Sequence, residues 1–224
     1  MGEAIGQTLP LAVAIAVSPV GIIASVLILG TAKARSNGIS FLAGWIIGLL
    51  ALGGLLLLLN RSAAASSGGD PAGWTGYASI GLGLILLIFA YRQLKKWRTS
   101  KGEPDLPGWM SKLDDFDAAR SAVAGIALAA VNPKNLILVA GAATAIAGTG
   151  TLAGDQVAAL LVFTAIASLG VVVPLGIYLF MGDRAEGLLS WLKESMARNG
   201  GLIMAVIFVV IAAKLMGDGI TTLS

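Results

Sequence analysis

The sequence contains no cysteine and no histidine. Their absence excludes disulfides, thiol redox relays, haem ligation through those side chains, and most zinc or copper sites. Charge is scarce too: 12% of the 224 residues carry one, against roughly 25% in an ordinary soluble chain. Hydrophobic residues make up 57%. So few charges, concentrated in two loops, cannot cover a soluble surface, so the composition implies a polytopic integral membrane protein. The net charge of +3 reflects topology and does not point to nucleic acid. Nothing in the chain implies a cofactor, an ATP-binding P-loop or an enzyme active site, and no acidic residue lies deep in an apolar run to serve a metal cation.

What is abundant is uninterrupted apolar sequence. Runs fall at about 8–30, 39–59, 74–91, 121–147, 155–181 and 200–217, each long enough or nearly so to cross roughly 30 Å of hydrocarbon. The fourth and fifth are the longest, which implies tilt or a break, and Pro174 is placed to kink the fifth. The first run is not expected to be a cleaved signal peptide, because Met1 to Thr8 carries Glu3 and no basic residue.

Six crossings put both termini on one side. Twelve of the fifteen basic residues fall in the three loops of the other side: Lys33 and Arg35; Arg92, Lys95, Lys96, Arg98, Lys101, Lys112 and Arg120; Arg184, Lys193 and Arg198. Basic loops stay cytoplasmic, so both termini are expected outside. Trp109, Leu113 and Phe116 in one such loop, and Ala185, Leu188, Leu189, Leu192 and Met196 in another, recur at helical spacing. Both segments read as short amphipathic helices on the headgroups. Residues 62–69 read as a flexible connector.

Two runs contain an interruption. Ser18-Pro19 follows about ten apolar residues, and Asn132-Pro133-Lys134-Asn135 about eleven. Proline breaks a helix interior but suits the first position of a new helix, which Ser or Asn caps. The two sites lie 114 residues apart, half the chain length. The expected architecture is therefore all-α, with six transmembrane helices in two inverted three-helix repeats. The first and fourth helices are broken, so that two half-helix N-termini meet near the bilayer centre. Residues 1–97 form the first repeat, 98–120 a cytoplasmic loop with an interfacial helix, and 121–224 the second repeat.

Lys134 is the one ionisable side chain deep inside any of these runs. A charge there is costly unless paired or hydrated, so a functional role is the default reading. Carbonyls freed at the break, or a water-filled vestibule, would also satisfy it. With no acid at that depth, the counter-charge would come from an anionic substrate. Candidate substrate-binding residues are Ser18, Pro19, Asn132, Pro133, Lys134 and Asn135. Thr164 and Ser168, on one face of the fifth run, are weaker candidates, with Ser25 and Thr144 beside them. Gly44-Trp45-Ile46-Ile47-Gly48 is a small-xxx-small pattern suited to internal packing, though a homodimer remains open.

Ala16-Val17-Ser18-Pro19-Val20-Gly21-Ile22-Ile23, Thr31-Ala32-Lys33-Ala34-Arg35-Ser36-Asn37-Gly38 and Phe41-Leu42-Ala43-Gly44-Trp45 resemble the GAP family of peptidoglycolipid-addressing proteins. Asn132-Pro133-Lys134-Asn135 is similar to that family's second signature and to its relatives in the LysE superfamily of exporters. The resemblance implies a multi-pass protein of the bacterial inner membrane that delivers glycolipids or related amphiphiles to the envelope, with its signature residues at the two breaks. Gly21 stands where relatives often carry a second proline, which implies a softer first break. The leading expectation is a transporter or flippase for an anionic or polar-headed lipid, its partners being that amphiphile and the bilayer. A LysE-type exporter of small solutes such as amino acids, or a non-transporting accessory subunit of a lipid-export complex, are the alternatives.

Overall fold

The computed structural model describes residues 1–66, 74–99 and 116–223, in which every regular element is an α-helix. In chain order these are α1 (Gly2–Ala16), α2 (Pro19–Leu29), α3 (Ala34–Ser66), α4 (Trp74–Thr99), α5 (Ala118–Ala130), α6 (Pro133–Gly148), α7 (Ala153–Ala167), α8 (Leu169–Phe180) and α9 (Arg184–Leu223). α3, α4 and α9 are each long and apolar enough to cross a membrane. The other six form three bent pairs: α1–α2 at 49°, α5–α6 at 60° and α7–α8 at 51°. Counting each bent pair as one span gives up to six crossings. The helices are thus compatible with a multi-pass membrane protein.

Small residues let these helices approach one another closely. Gly44 and Gly48 of α3 face the backbone of Ala122 and Ile126 in α5. Both contacts advance together along the two chains, so the helices run parallel. The small-xxx-small pattern therefore serves internal packing. α4 and α9 run the opposite way past each other. A methyl group at Gly76 would stand 3.0 Å from the Gly219 carbonyl, one at Gly83 3.1 Å from that of Ala212, and one at Gly201 3.3 Å from that of Gln93. α1 packs along α6 and α7, and α2 against α3, α8 and α9. The most extensive pairings, α4 with α9 and α3 with α5, join the two halves of the sequence rather than neighbours along it.

One polar clasp fixes the α3–α5 pair at its end. Asn37, fully buried, donates from Nδ2 to Thr31 Oγ1 at 2.9 Å and to the Phe116 carbonyl at 2.8 Å. Asp117 then caps α5 by accepting from the Arg120 N–H at 2.8 Å. Asn37→Ala removes both bonds and leaves a buried carbonyl short of a donor, a loss of about 1–3 kcal/mol. The expected result is a lower thermal midpoint in detergent; an unchanged midpoint would show the clasp to be idle.

Four expectations change. The segment 184–198 is not a separate interfacial helix, because α9 runs unbroken from Arg184 through Asn199-Gly200-Gly201. Tertiary contacts override the weak helix propensity of that glycine pair: Gly200 packs on the Pro19 ring and Gly201 on Trp97. The fifth run bends at Ser168, not at Pro174, which lies inside α8. The connector is shorter than expected at its start, since α3 continues to Ser66; its remainder, and Trp109 and Leu113 of the proposed interfacial helix in 98–120, lie outside the described residues. Phe116 precedes α5 and is not helical.

Candidate functional site

The first and fourth runs break at Pro19 and Pro133, and the two breaks are built alike. Ser18 has φ −63° and ψ 119°, and Asn132 has φ −61° and ψ 119°. Each is an extended residue followed by proline at the first helical position, where the missing N–H costs nothing. Asn132 caps α6 conventionally, its Oδ1 accepting from the Lys134 N–H at 3.1 Å. Ser18 does not cap α2. Its hydroxyl oxygen instead accepts from the ammonium of Lys134, reaching over from the other break.

That bond brings together two residues far apart in sequence. Ser18 is buried and Lys134 partly buried. The ammonium has three N–H donors. Ser18 takes one, and the next contact is the weakly accepting sulfur of Met204 at 4.0 Å. Among the described residues no carboxylate pairs with it; Met1 pairs with Asp155 and Lys214 with Asp218. Lys134 is therefore an amine with donor capacity to spare, held against a helix N-terminus without a side-chain cap, whose partial positive charge favours an anion.

α9 closes the site. Gly200 receives the Pro19 ring, and Met204, one turn on and buried, faces Lys134. Neither residue stood out in the sequence, where both look like ordinary span filler. The third break adjoins the first: Gly170, at the start of α8, abuts the Ala16 carbonyl at the end of α1. Its cause is local. Ser168 Oγ donates to the Thr164 carbonyl at 2.7 Å, a back-bond that bends helices, and Gly170 allows the close approach. Serine near glycine is a known kink signal, present in the sequence and overshadowed by Pro174.

The remaining candidates divide. Pro19 packs on α9, and Pro133 is exposed. Asn135 donates from Nδ2 to the Leu128 carbonyl at 2.9 Å, tying α5 to α6 across the break, while its buried Oδ1 has no partner. Ser168 spends its hydroxyl on its own helix, as Ser25 does on the Ile22 carbonyl at 2.8 Å. Thr164 Oγ1 is buried without a partner. Among the described residues no hydrogen bond joins Thr164 or Ser168 to Lys134. Among the described residues no group of acidic, His or Cys side chains could hold a metal ion.

An all-helical chain with up to six apolar spans and like breaks meeting at Lys134 and Ser18 fits one broad class, the multi-pass membrane proteins. The chain belongs to the family described as Sap, sulfolipid-1-addressing protein, whose model matches residues 8–221. No curated protein and no solved structure matches it. Addressing of a lipid is common to this description and to the resemblance read from the two signatures, although the family shown is Sap and not GAP.

Proposed function

We propose that this protein is a transporter that carries an anionic, polar-headed lipid, of the kind the family description calls a sulfolipid, outward across the bacterial inner membrane. It is not an enzyme and needs no cofactor; its partners are the amphiphile and the bilayer. The observation that carries the reading is Lys134, bonded to Ser18 across two like breaks and lacking a counter-charge among the described residues. The head group would lie against the ammonium and the two half-helix ends, and the tails would stay among the exposed apolar side chains of the helix exteriors.

The helix packing supports the inverted-repeat arrangement, which kinship with GAP and LysE-type exporters would imply. Exchanging the halves maps α3 on α5 onto α1 on α7, and α2 on α9 onto α4 on α6, and all four pairings occur. Both termini would face outward, by the distribution of basic loops. Because the largest contacts bridge residues 1–97 and 121–224, motion would come from hinging at the breaks, with Lys134–Ser18 as the latch that the head group opens. A substrate does this only by binding the opened state more tightly.

The test is transbilayer movement in vesicles reconstituted with the purified protein. A headgroup-labelled sulfated glycolipid should change leaflets faster than in protein-free vesicles, and trapped amino acids should not leak. Amino-acid efflux without lipid movement would point to a small-solute exporter. Movement of neither would leave the chain an accessory protein and refute the proposal.

A further inference from the structure

Two neighbouring faces of the molecule disagree about where the hydrocarbon ends. α8 and α9 form a hairpin: the turn between them closes with the Arg184 N–H on the Met181 carbonyl at 3.2 Å, and Leu175 packs with Ala185 and Leu189. Residues 169–180 and 184–195 therefore lie level with one another. α8 carries no charge, and Leu169, Val172, Val173, Leu179 and Phe180 are exposed along it. An apolar face of that length suits acyl chains, not water. At the same heights α9 exposes Glu186, Ser190 and Glu194, with Lys193 partly buried beside them and Arg198 exposed one turn on. Trp191 is exposed there too, a ring that favours headgroup level.

The polar face continues onto α4. Gly201 packs on Trp97 and on the Gln93 carbonyl, and Gly200 on the Pro19 ring. Residues 93–97, the start of α2 and the glycine pair of α9 thus share one level. Arg92, Lys95, Lys96 and Arg98 cluster around that level, all exposed. From Pro19 to the far end of α2 is eleven residues, about 16 Å of helix. Over that depth the α8 side is apolar and the α4–α9 side is charged. Residues 92–98 and 185–199 together hold six basic side chains against two acidic ones, Glu186 and Glu194.

Charges at hydrocarbon depth are tolerated where water or polar head groups reach them. The bilayer beside α4 and α9 is therefore expected to thin, as it does around a span that is too short. The charged face ends close to the breaks. Met204, whose sulfur lies 4.0 Å from the Lys134 amine, follows Arg198 by six residues, about 9 Å of helix.

We infer that the charged face shared by α4 and the start of α9 is the loading surface for the transported lipid. Its anionic head group passes along this face from the cytoplasmic leaflet to the breaks, while the tails stay among the acyl chains. The inference rests on the transport reading, since it brings cargo to Lys134. It also gives these basic residues a use besides fixing topology: a face that only marked the cytoplasmic side would start where the apolar face of α8 stops.

The test has two readouts, both on the full-length protein in vesicles. The chain has no cysteine, so Ser190→Cys and Val173→Cys each provide a single spin-label site, at equal heights on α9 and α8. Collisions with a water-soluble nickel chelate should dominate at residue 190, and collisions with oxygen, which gathers among acyl chains, at residue 173. Water at both positions, or acyl chains at both, would overturn the inference. The second readout is movement of a headgroup-labelled sulfated glycolipid. Arg92→Gln, Lys95→Gln and Arg198→Gln combined should slow it about tenfold or more, one cation near a membrane surface being worth about fivefold in attraction, at an unchanged thermal midpoint. Movement at the wild-type rate in this triple variant, with Lys134→Met inactive, overturns the loading role and spares the transport reading. If the wild type moves no lipid, or no more than Lys134→Met does, both fall. Should the triple variant fold poorly, salt decides, because it screens exposed charges far more than buried ones: high salt should slow the wild type, and an unaffected rate overturns the loading role.

Discussion

Lys134→Met is expected to abolish lipid movement in reconstituted vesicles while leaving the protein folded and no less stable. Methionine matches the length of the lysine stem and removes the ammonium. A charged group away from water carries a desolvation cost that one serine hydroxyl and a distant thioether repay only in part. Losing the charge therefore relieves the fold, and Ser18 becomes free to cap α2. Function should respond in the opposite sense. Truncating one side of a buried charged contact costs about 2–5 kcal/mol, a fall of about thirtyfold or more in the transport rate. Lys134→Arg keeps the charge but presents a broad planar fork, and should retain only a small part of the rate. Opposite movements of thermal midpoint and transport would mark Lys134 as a functional residue. Transport at the wild-type rate in Lys134→Met, or a large drop in midpoint, would make it a structural one.

The second large effect concerns packing, and two glycines of α3 should give opposite signs for the same substitution. Gly44 lies against the Ala122 carbonyl of α5, a backbone atom that cannot swing aside. Gly44→Ala forces α3 and α5 apart along their parallel contact, at a cost of about 3 kcal/mol, the upper end of the usual range for overpacking. Ten residues along, Gly54 has nothing within 4 Å of where its Cβ would stand. Gly54→Ala should leave stability unchanged or raise it by up to about 1 kcal/mol, the helix propensity gained. Thermal midpoints of the two variants in one detergent make the comparison. Equal midpoints would mean that the α3–α5 contact contributes little.

Much of this architecture was legible in the sequence because a bilayer imposes a length. The apolar runs expected at 39–59 and 74–91 lie within α3 and α4, and the breaks at Pro19 and Pro133 fall where proline and a capping residue coincide. The bond between Ser18 and Lys134 was not legible: both residues stood out at the breaks, but freed carbonyls, a vestibule or a substrate were the partners expected for Lys134. Other features depend on three-dimensional neighbours. The break at Ser168 is made by a hydroxyl bonding its own helix and by the α1 carbonyl against Gly170, and no local pattern as strong as proline announces it. α9 stays unbroken through Gly200-Gly201 because Pro19 and Trp97 pack on it, information held about 180 and 104 residues away in the chain. Asn135 belongs to a recognisable signature, yet its amide stitches the break together. That the charged start of α9 lies level with an apolar α8 can be read only from their packing.

The three interruptions are neighbours in space: Ser18 touches Lys134 of the second, and Ala16 touches Gly170 of the third. The rods α3, α4 and α9 pass alongside without interruption. The molecule consequently has a waist, where the breaks gather beside three unbroken rods. On the proposed transport reading, one storey would widen while the other stays shut, with no rod required to bend. A bundle of six straight rods could open only by parting along its whole height, and would leak as it did so.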